Sequence, residues 1–235
     1  MSGILYLVSL PIGHSGDISQ RAQEILSAVN IIACEDTRVM TRHLKAWGVG
    51  RVPQLVSFYE HNERKRVPEL ITRLQEGLSI ACVSDAGSAL ISDPGYILMR
   101  EAIRASILVQ VIPGPTALIT ALLLSGLPPD KFIFLGFPPK KEGAQVKFFE
   151  RFKEVGVTLI FYESPLRLVK TLTRIKPLFL NWDIAICREM TKIHEEVIRG
   201  SFLEVFSKIN NRKILGEVTV VMSKANTLAN PVSSD

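Results

Sequence analysis

Two hydrophobic rhythms alternate along the chain. Short, largely apolar runs stand at Ile4 to Leu10, Ile31 to Cys34, Leu55 to Tyr59, Ile80 to Val83 and Leu108 to Ile112. Apolar on successive positions, they have no polar side to offer water and predict strands of a parallel sheet covered on both faces. Between them the spacing changes. Ala22, Ile25, Leu26 and Val29 fall on one face of a predicted helix over Gln20 to Val29, capped by Asp17 or Ser19. Further helices are predicted from the Glu35-Asp36-Thr37-Arg38 turn to about Trp47, over Val67 to Glu76, and over Pro94 to Ala105; Gly48 and Gly77 close the first two.

After Pro113-Gly114-Pro115 the alternation resumes. Helices are predicted over Thr116 to Ser125, Gln145 to Lys153, Leu166 to Ile175 and Phe202 to Lys208. Strands are predicted over Phe132 to Phe137, Thr158 to Tyr162, Ile184 to Cys187, Glu195 to Arg199 and Glu217 to Met222. The polar tail from Lys224 is expected to fray. The pattern predicts two α/β domains, residues 1–114 with a parallel sheet and residues 115–235 with a mixed one, whose loops face an inter-domain cleft.

The stretch from Ile80 to Gly95 organises this arrangement. Its apolar run ends abruptly in Ser84-Asp85-Ala86-Gly87-Ser88, a loop of small residues with too little apolar mass for a core of its own. In open α/β sheets ligands bind beyond the carboxyl ends of the strands, so this loop is expected to floor a site. Gly13 and Gly114-Pro115-Thr116 end other strands in the same way. Small residues there present backbone groups, which suit an uncharged or zwitterionic ligand better than a polyphosphate.

Composition narrows the classes. A chain of 235 residues has room for two modest cores. Cys34, Cys82 and Cys187 lie far apart inside apolar runs, which fits a reduced, cytoplasmic setting. No apolar run approaches the roughly 18 residues of a membrane span. The apolar start, Met1 to Leu10, has no basic leader, so neither a signal peptide nor a membrane partner is expected. A net charge of +5 permits a polyanionic partner without requiring one. No G-x-G-x-x-G follows a strand, and P-loop, zinc-ligand and nucleophile-elbow spacings are missing, so no metal is expected.

Several segments carry a resemblance. They are Leu5-Tyr6-Leu7-Val8 leading into Pro11-Ile12-Gly13, Cys34-Glu35-Asp36-Thr37-Arg38, Ser57-Phe58-Tyr59-Glu60-His61-Asn62-Glu63, and Ser84-Asp85-Ala86-Gly87 with Leu90-Ile91-Ser92-Asp93-Pro94-Gly95. Ile112-Pro113-Gly114-Pro115, Thr158 to Pro165 and Arg188 to Glu196 follow. In this order they resemble the ribosomal RNA small subunit (cytidine-2′-O-)-methyltransferase family, tetrapyrrole-methylase-like enzymes that use S-adenosyl-L-methionine. The resemblance runs from about Leu5 to Met222. It implies a homodimer of two-domain subunits with the methyl donor in the cleft, acting on 16S rRNA or the small ribosomal subunit at a cytidine ribose in the decoding centre. It places the donor against Ile12, Gly87, Ser88, Ile91, Thr116, Ala117, Tyr162, Met190 and Glu217. Ser88-Ala89 departs from a Thr-Pro pair usual in the family, and Met190 from a leucine.

Methyl transfer to a ribose hydroxyl needs alignment and removal of one proton. Candidate catalytic groups are Lys192, Glu189, Glu195, Asp36 and Glu163, with Glu35 beside them. Lys192, flanked by Arg188 and other cations, is expected to have a lowered pKa and to act as base. The alternatives are a solvated charge run for Glu189 to Glu196 and a structural ion pair for Asp36 with Arg38. Arg38, Lys140 and Lys141 are candidate RNA contacts. Phe148, Phe149 and Phe152 nearby read either as base-stacking or as core residues. A tetrapyrrole-type small-molecule methyltransferase and a non-enzymatic RNA-binding or assembly factor are the competing functions.

Overall fold

The computed structural model describes residues 2–50 and 52–224, and the chain divides into two compact units, Met1–Thr116 and Ala117–Asp235. The tail beyond Lys224, expected to fray, lies outside the described residues.

The first unit is a five-stranded sheet with helices on both faces. Its strands are β1 (Ile4–Val8), β2 (Ile31–Cys34), β3 (Gln54–Ser57), β4 (Ile80–Cys82) and β5 (Leu108–Ile112), in the order β3-β2-β4-β1-β5. Every pairing is parallel. The unbroken apolar runs feed two cores. Ile32, Cys34 and Ala81 pack on one face with Ala22 and Leu26 of α1 (Gln20–Ala28) and Met40 and Leu44 of α2 (Thr37–Ala46). Ile31, Ala33, Ile80 and Cys82 alternate to the other face, against Leu70 and Leu74 of α3 (Glu63–Gln75) and Leu98 and Ala102 of α4 (Tyr96–Arg104).

The strand order fixes where a ligand can enter. From β1 the chain leaves through α1 on one face, and from β4 through α4 on the opposite face. These two strands are neighbours, so their carboxyl ends flank a switch point, where doubly wound sheets open a crevice.

Two helix starts in the first unit differ from expectation. α3 begins at Glu63 rather than near Val67, because Asn62 folds the turn before it. The Asn62 Oδ1 accepts from the Tyr59 amide at 2.8 Å and its Nδ2 donates to the Ser57 carbonyl at 3.0 Å. Pro68 then sits inside the helix, where its ring removes a single amide. α4 begins at Tyr96, not Pro94, because the buried Glu63 carboxylate caps it from the side. One oxygen, Oε1, accepts from the Gly95 amide at 2.9 Å and from the Ile97 amide at 3.1 Å.

The second unit is a mixed sheet. Its strands are β6 (Phe132–Phe134), β7 (Thr158–Glu163), β8 (Trp182–Arg188), β9 (Glu196–Ser201) and β10 (Val218–Lys224), in the order β6-β7-β10-β8-β9. β6 pairs parallel with β7, and the other neighbours are antiparallel. Helices α6 (Glu142–Glu150), α7 (Pro165–Phe179) and α8 (Phe202–Asn210) cover one face around Phe149, Phe161, Phe179, Trp182 and Phe202. Phe148 and Phe152 pack against this core, so these three phenylalanines of α6 and the turn after it are structural. α5 (Ala117–Ser125) lies over β10 and β8. α7 runs on to Phe179 through Pro177, past its expected end at Ile175, because Phe179 is buried and extends the core.

Candidate functional site

In the first unit the loops after β1, β4 and β5 are tied to one another. Leu10 and Gly87 exchange two backbone hydrogen bonds, of 2.8 and 3.1 Å. The Ser88 hydroxyl lies 2.8 Å from the Ser9 hydroxyl and donates to the Pro115 carbonyl at 3.4 Å. Ser88 therefore fastens three loops with one side chain. Gly87 has φ +75°, where a side chain is disfavoured. A Cβ there would meet only the Ile12 Cγ2 at 3.4 Å and the Pro115 carbonyl at 3.9 Å. The expected floor residues Ile12, Gly87 and Ser88 are thus together, with Thr116 next to Pro115, and the surface they form is built of backbone, small side chains and the buried Ile12.

Beside this loop the end of β2 carries carboxylates. The Glu35 side chain accepts from the Asp85 amide at 3.2 Å, while the Asp85 side chain accepts from the Asp36 amide at 3.3 Å. Burial raises the Glu35 pKa. Asp36 is the N-cap of α2 and accepts from the Arg38 and Val39 amides at 2.8 and 3.4 Å. Its other oxygen pairs with the Arg38 guanidinium at 2.7 Å. That hydrogen bond to Arg38 and the helix amides hold the Asp36 carboxyl well below the usual range. The pair is structural in geometry, with Arg38 almost fully exposed.

The second unit gathers the charged residues of the Arg188–Glu196 segment. Glu189 donates its amide to the Glu217 carbonyl at 3.0 Å, and its carboxylate accepts the Glu217 amide at 2.9 Å. Lys192 Nζ lies 3.2 Å from Glu189 Oε1 and 3.0 Å from Glu217 Oε2. Glu195 accepts from the Thr191 amide at 2.6 Å. Gly216, at φ +83°, leaves the space that Glu189 fills, since a Cβ there would collide with the Glu189 carboxylate. The Glu217 amide lowers the Glu189 pKa, with Lys192 adding to the effect.

The expected lowering of the Lys192 pKa is reversed. Burial does work against its charge, but the hydrogen bonds and charges of Glu217 and Glu189 outweigh it and raise the pKa above the usual lysine value. The neighbours that matter are the two carboxylates in contact, not the cations adjacent in sequence. Lys192 is a charged ammonium at neutral pH, which removes the reason for reading it as a base.

One backbone device recurs in both units. Among the described residues, five that are not glycine have positive φ: Leu90 (74°), Ser92 (67°), Ser106 (55°), Glu189 (49°) and Thr191 (62°). Four of them flank Ile91 and Met190, two of the expected donor contacts. Such conformations cost about 1–3 kcal/mol each and persist where surrounding bonds enforce them. Here the Lys192 and Glu195 amides, bonded to the Glu189 and Lys192 carbonyls at 3.0 Å each, close the second of these turns.

The remaining candidates are placed apart. Tyr162 and Glu163 are successive residues of β7 and face opposite sides of the sheet. The Tyr162 ring stacks edge-on against Phe134 and Phe137. Glu163 is buried under α7, where it pairs with the Arg167 guanidinium at 2.6 Å and accepts from the Thr171 hydroxyl at 2.6 Å and the Ser164 amide at 2.7 Å. Ala117 opens α5, and Lys140 and Lys141 are exposed before α6. Burial pushes the thiols of Cys34, Cys82 and Cys187 up to about 12, so none is an accessible nucleophile. Among the described residues, no group of three or more His, Cys, Asp or Glu could hold a metal, and no helix is long and apolar enough to cross a membrane.

Two roles were missed in the sequence. Glu63 looked like part of a polar turn, yet it is buried and sets the start of α4. Arg167, Lys170 and Arg174 stand three and four residues apart on α7, a spacing visible in the sequence.

Comparison with known proteins accounts for these loops. Residues 4–205 match the model of the tetrapyrrole (corrin/porphyrin) methylases. The chain is 44% identical over 227 residues to the ribosomal RNA small subunit methyltransferase I of Hydrogenobaculum sp., covering 95% of this chain and 97% of that protein. It is 42% identical over 221 residues to the protein of the same name from Thermotoga maritima, covering 94% and 98%. The uroporphyrin-III C-methyl transferase of Thermus thermophilus, solved with S-adenyl homocysteine, shares the fold at a TM-score of 0.65 and 16% identity, over 93% of this chain and 97% of that one. The methyl donor of this class is S-adenosyl-L-methionine, and the backbone-lined loop around Gly87, with the Glu35, Asp36 and Asp85 carboxylates beside it, suits a molecule that carries a sulfonium and an ammonium as well as a carboxylate. The chain belongs to the tetrapyrrole methylase family and, within it, to the ribosomal RNA small subunit methyltransferases I.

Proposed function

We propose that this protein methylates the ribose 2′-hydroxyl of a cytidine in the decoding centre of 16S rRNA, working in the cytoplasm as a homodimer. The observation that carries the reading is the 44% identity, end to end, with a protein named for small subunit rRNA methylation. Bound at these loops, S-adenosyl-L-methionine would supply a methyl group activated on a sulfonium, and the ribose hydroxyl that takes it would give up its proton to water. With so strong an electrophile, alignment of the hydroxyl contributes more than basicity.

The residues then divide the work. Ile12, Gly87, Ser88, Ile91, Thr116 and Ala117 hold the donor chiefly through backbone, and Tyr162, Met190 and Glu217 are its further contacts. Lys192 acts as a cation that fixes Glu189 and Glu217 and offers a positive charge to the ribose-phosphate. Arg38, Lys140 and Lys141 contact RNA. The homodimer is supported by α5, which is apolar all round yet leaves Leu123 73% and Ile119 37% exposed; a helix of that kind needs cover on every side.

The test is methyl transfer in vitro. Purified protein is incubated with labelled donor and either naked 16S rRNA or small subunits from cells lacking the modification, and the product is mapped by primer extension at low nucleotide concentration. A single stop at a 2′-O-methylcytidine is expected. Methylation of a base, of tetrapyrroles only, or of nothing would overturn the proposal.

A further inference from the structure

α7 carries a row of cations on one face. Arg167, Lys170 and Arg174, together with Thr171 of the same helix and Lys140 and Gln145, line a cavity of about 130 Å³. Its floor is a buried hydrogen-bond chain. Glu163 holds Arg167 Nη2 at 2.6 Å and the Thr171 hydroxyl at 2.6 Å, and Thr171 accepts from Gln145 Nε2 at 3.1 Å. Gln145 Oε1 in turn accepts from Arg174 Nη1 at 3.0 Å, and that nitrogen also reaches the Lys140 carbonyl at 3.3 Å. Glu142 pairs with Arg174 Nη2 at 3.2 Å from the exposed side.

This chain fixes both guanidinium groups but does not satisfy them. Arg167 Nη1 and Arg174 Nε are buried and have no hydrogen-bond partner. Unpaired buried donors on charged groups are costly and uncommon, and they point to an acceptor supplied from outside. Four cations line the cavity, and the two carboxylates in contact with them, Glu163 and Glu142, leave a surplus of two positive charges. The volume admits a tetrahedral oxyanion and is too small for a whole nucleotide. One charged N–H donor from each of two guanidinium groups, Arg167 Nη1 and Arg174 Nε, suits the oxygens of a phosphate, and the exposed Lys140 and Lys170 add charge at the rim.

We infer that this cavity receives one phosphodiester group of the RNA strand. The inference rests on the rRNA reading for the source of the phosphate, while the anion site itself follows from the cavity. It extends the RNA surface from the Lys140–Lys141 loop onto α7.

Two arms test it on the full chain. In the first, the Arg Nε–H resonances are followed by NMR as inorganic phosphate, and separately a 16S rRNA fragment, is titrated in; both should shift the Arg174 signal. In the second, RNA affinity is measured against salt for wild type, Lys170→Glu and the Lys140→Glu/Lys170→Glu pair. Loss of the contact should lower the slope of log affinity on log salt by about 0.7–0.9, with the thermal midpoint unchanged because both lysines are exposed. A shift with phosphate but none with RNA, and an unaltered slope, would make this a site for the free ion and overturn the RNA assignment. No shift with either titrant would remove the anion site altogether. Failure of the rRNA reading shows separately: wild-type protein would transfer no methyl to rRNA while phosphate still moved Arg174, and the RNA source would fall with it.

Discussion

Each unit buries a glutamate, and the two are held in opposite ways. Glu63 of the first unit gives one oxygen to two backbone amides at the start of α4. Glu163 of the second faces the Arg167 guanidinium, with Thr171 and the Ser164 amide completing its shell. The sheets explain the contrast. A parallel sheet sends all its carboxyl ends to one edge, so the first unit can build a site from backbone loops, and its buried glutamate is braced by backbone amides alone. A mixed sheet presents strand starts and strand ends together, so loops alone do not converge there. The second unit instead uses charged side chains held by one another. Yet both units use the same backbone device, with positive φ at Leu90 and Ser92 around Ile91 and at Glu189 and Thr191 around Met190.

The sharpest way to break this contrast is to remove each carboxylate. Glu163→Ala leaves a guanidinium unpaired under α7 and should cost about 3–5 kcal/mol in urea unfolding. Glu163→Gln should recover only part of that, because a neutral amide cannot balance Arg167. Glu63→Ala should cost about 2 kcal/mol, the two amides losing their charged acceptor. Glu63→Gln should lie within about 1 kcal/mol of wild type, since a carbonyl oxygen can accept from Gly95 and Ile97 equally well. Equal rescue by glutamine at both positions would erase the distinction between the two braces.

These braces mark the limit of what was legible in advance. The strands of the parallel sheet were visible because burial on both faces leaves an unbroken apolar signature, as in Ile31 to Cys34. The loop at Gly87 was visible because small residues end a strand abruptly. Glu63 was not, because nothing local distinguishes a carboxylate that turns inward to cap another helix from one that faces water. Lys192 was misread for a related reason. Its sequence neighbours include Arg188, but its spatial neighbours are Glu189, one turn back, and Glu217, on a distant segment.

Gly87 tests the backbone side of the comparison. Gly87→Ala finds room at its Cβ, so its cost should come from φ alone, about 1 kcal/mol. Gly87→Val adds a branched side chain at a positive φ and projects it over the loop. It should weaken S-adenosyl-L-methionine binding at least tenfold in calorimetry while the protein remains folded. Donor affinity within about threefold of wild type would mean that this loop is not the floor of the site.

Lys192 tests the side-chain half, with the smallest expected effect on stability. It is partly exposed and Glu217 is mostly exposed, so screening limits the contribution of the cluster to less than about 1 kcal/mol. The Lys192 pKa is raised on folding, so its share is complete below the unfolded value of about 10.4 and fades as pH rises through the folded one. The Glu189 pKa is depressed, so its share is complete above about 4.3 and fades as pH falls through its folded value. The stability gap between wild type and Lys192→Ala should therefore be level between these limits and close beyond either. Activity separates cation from base. A base lost in Lys192→Arg should lower turnover by about 10²–10⁴, because guanidinium stays protonated. A cation that orients Glu189, Glu217 and the ribose-phosphate is largely preserved in that variant, so single-turnover rates at saturating RNA should stay within about tenfold of wild type. A collapse of Lys192→Arg to the level of Lys192→Ala would return Lys192 to the role of base, and would require substrate binding to pull both carboxylates away from it.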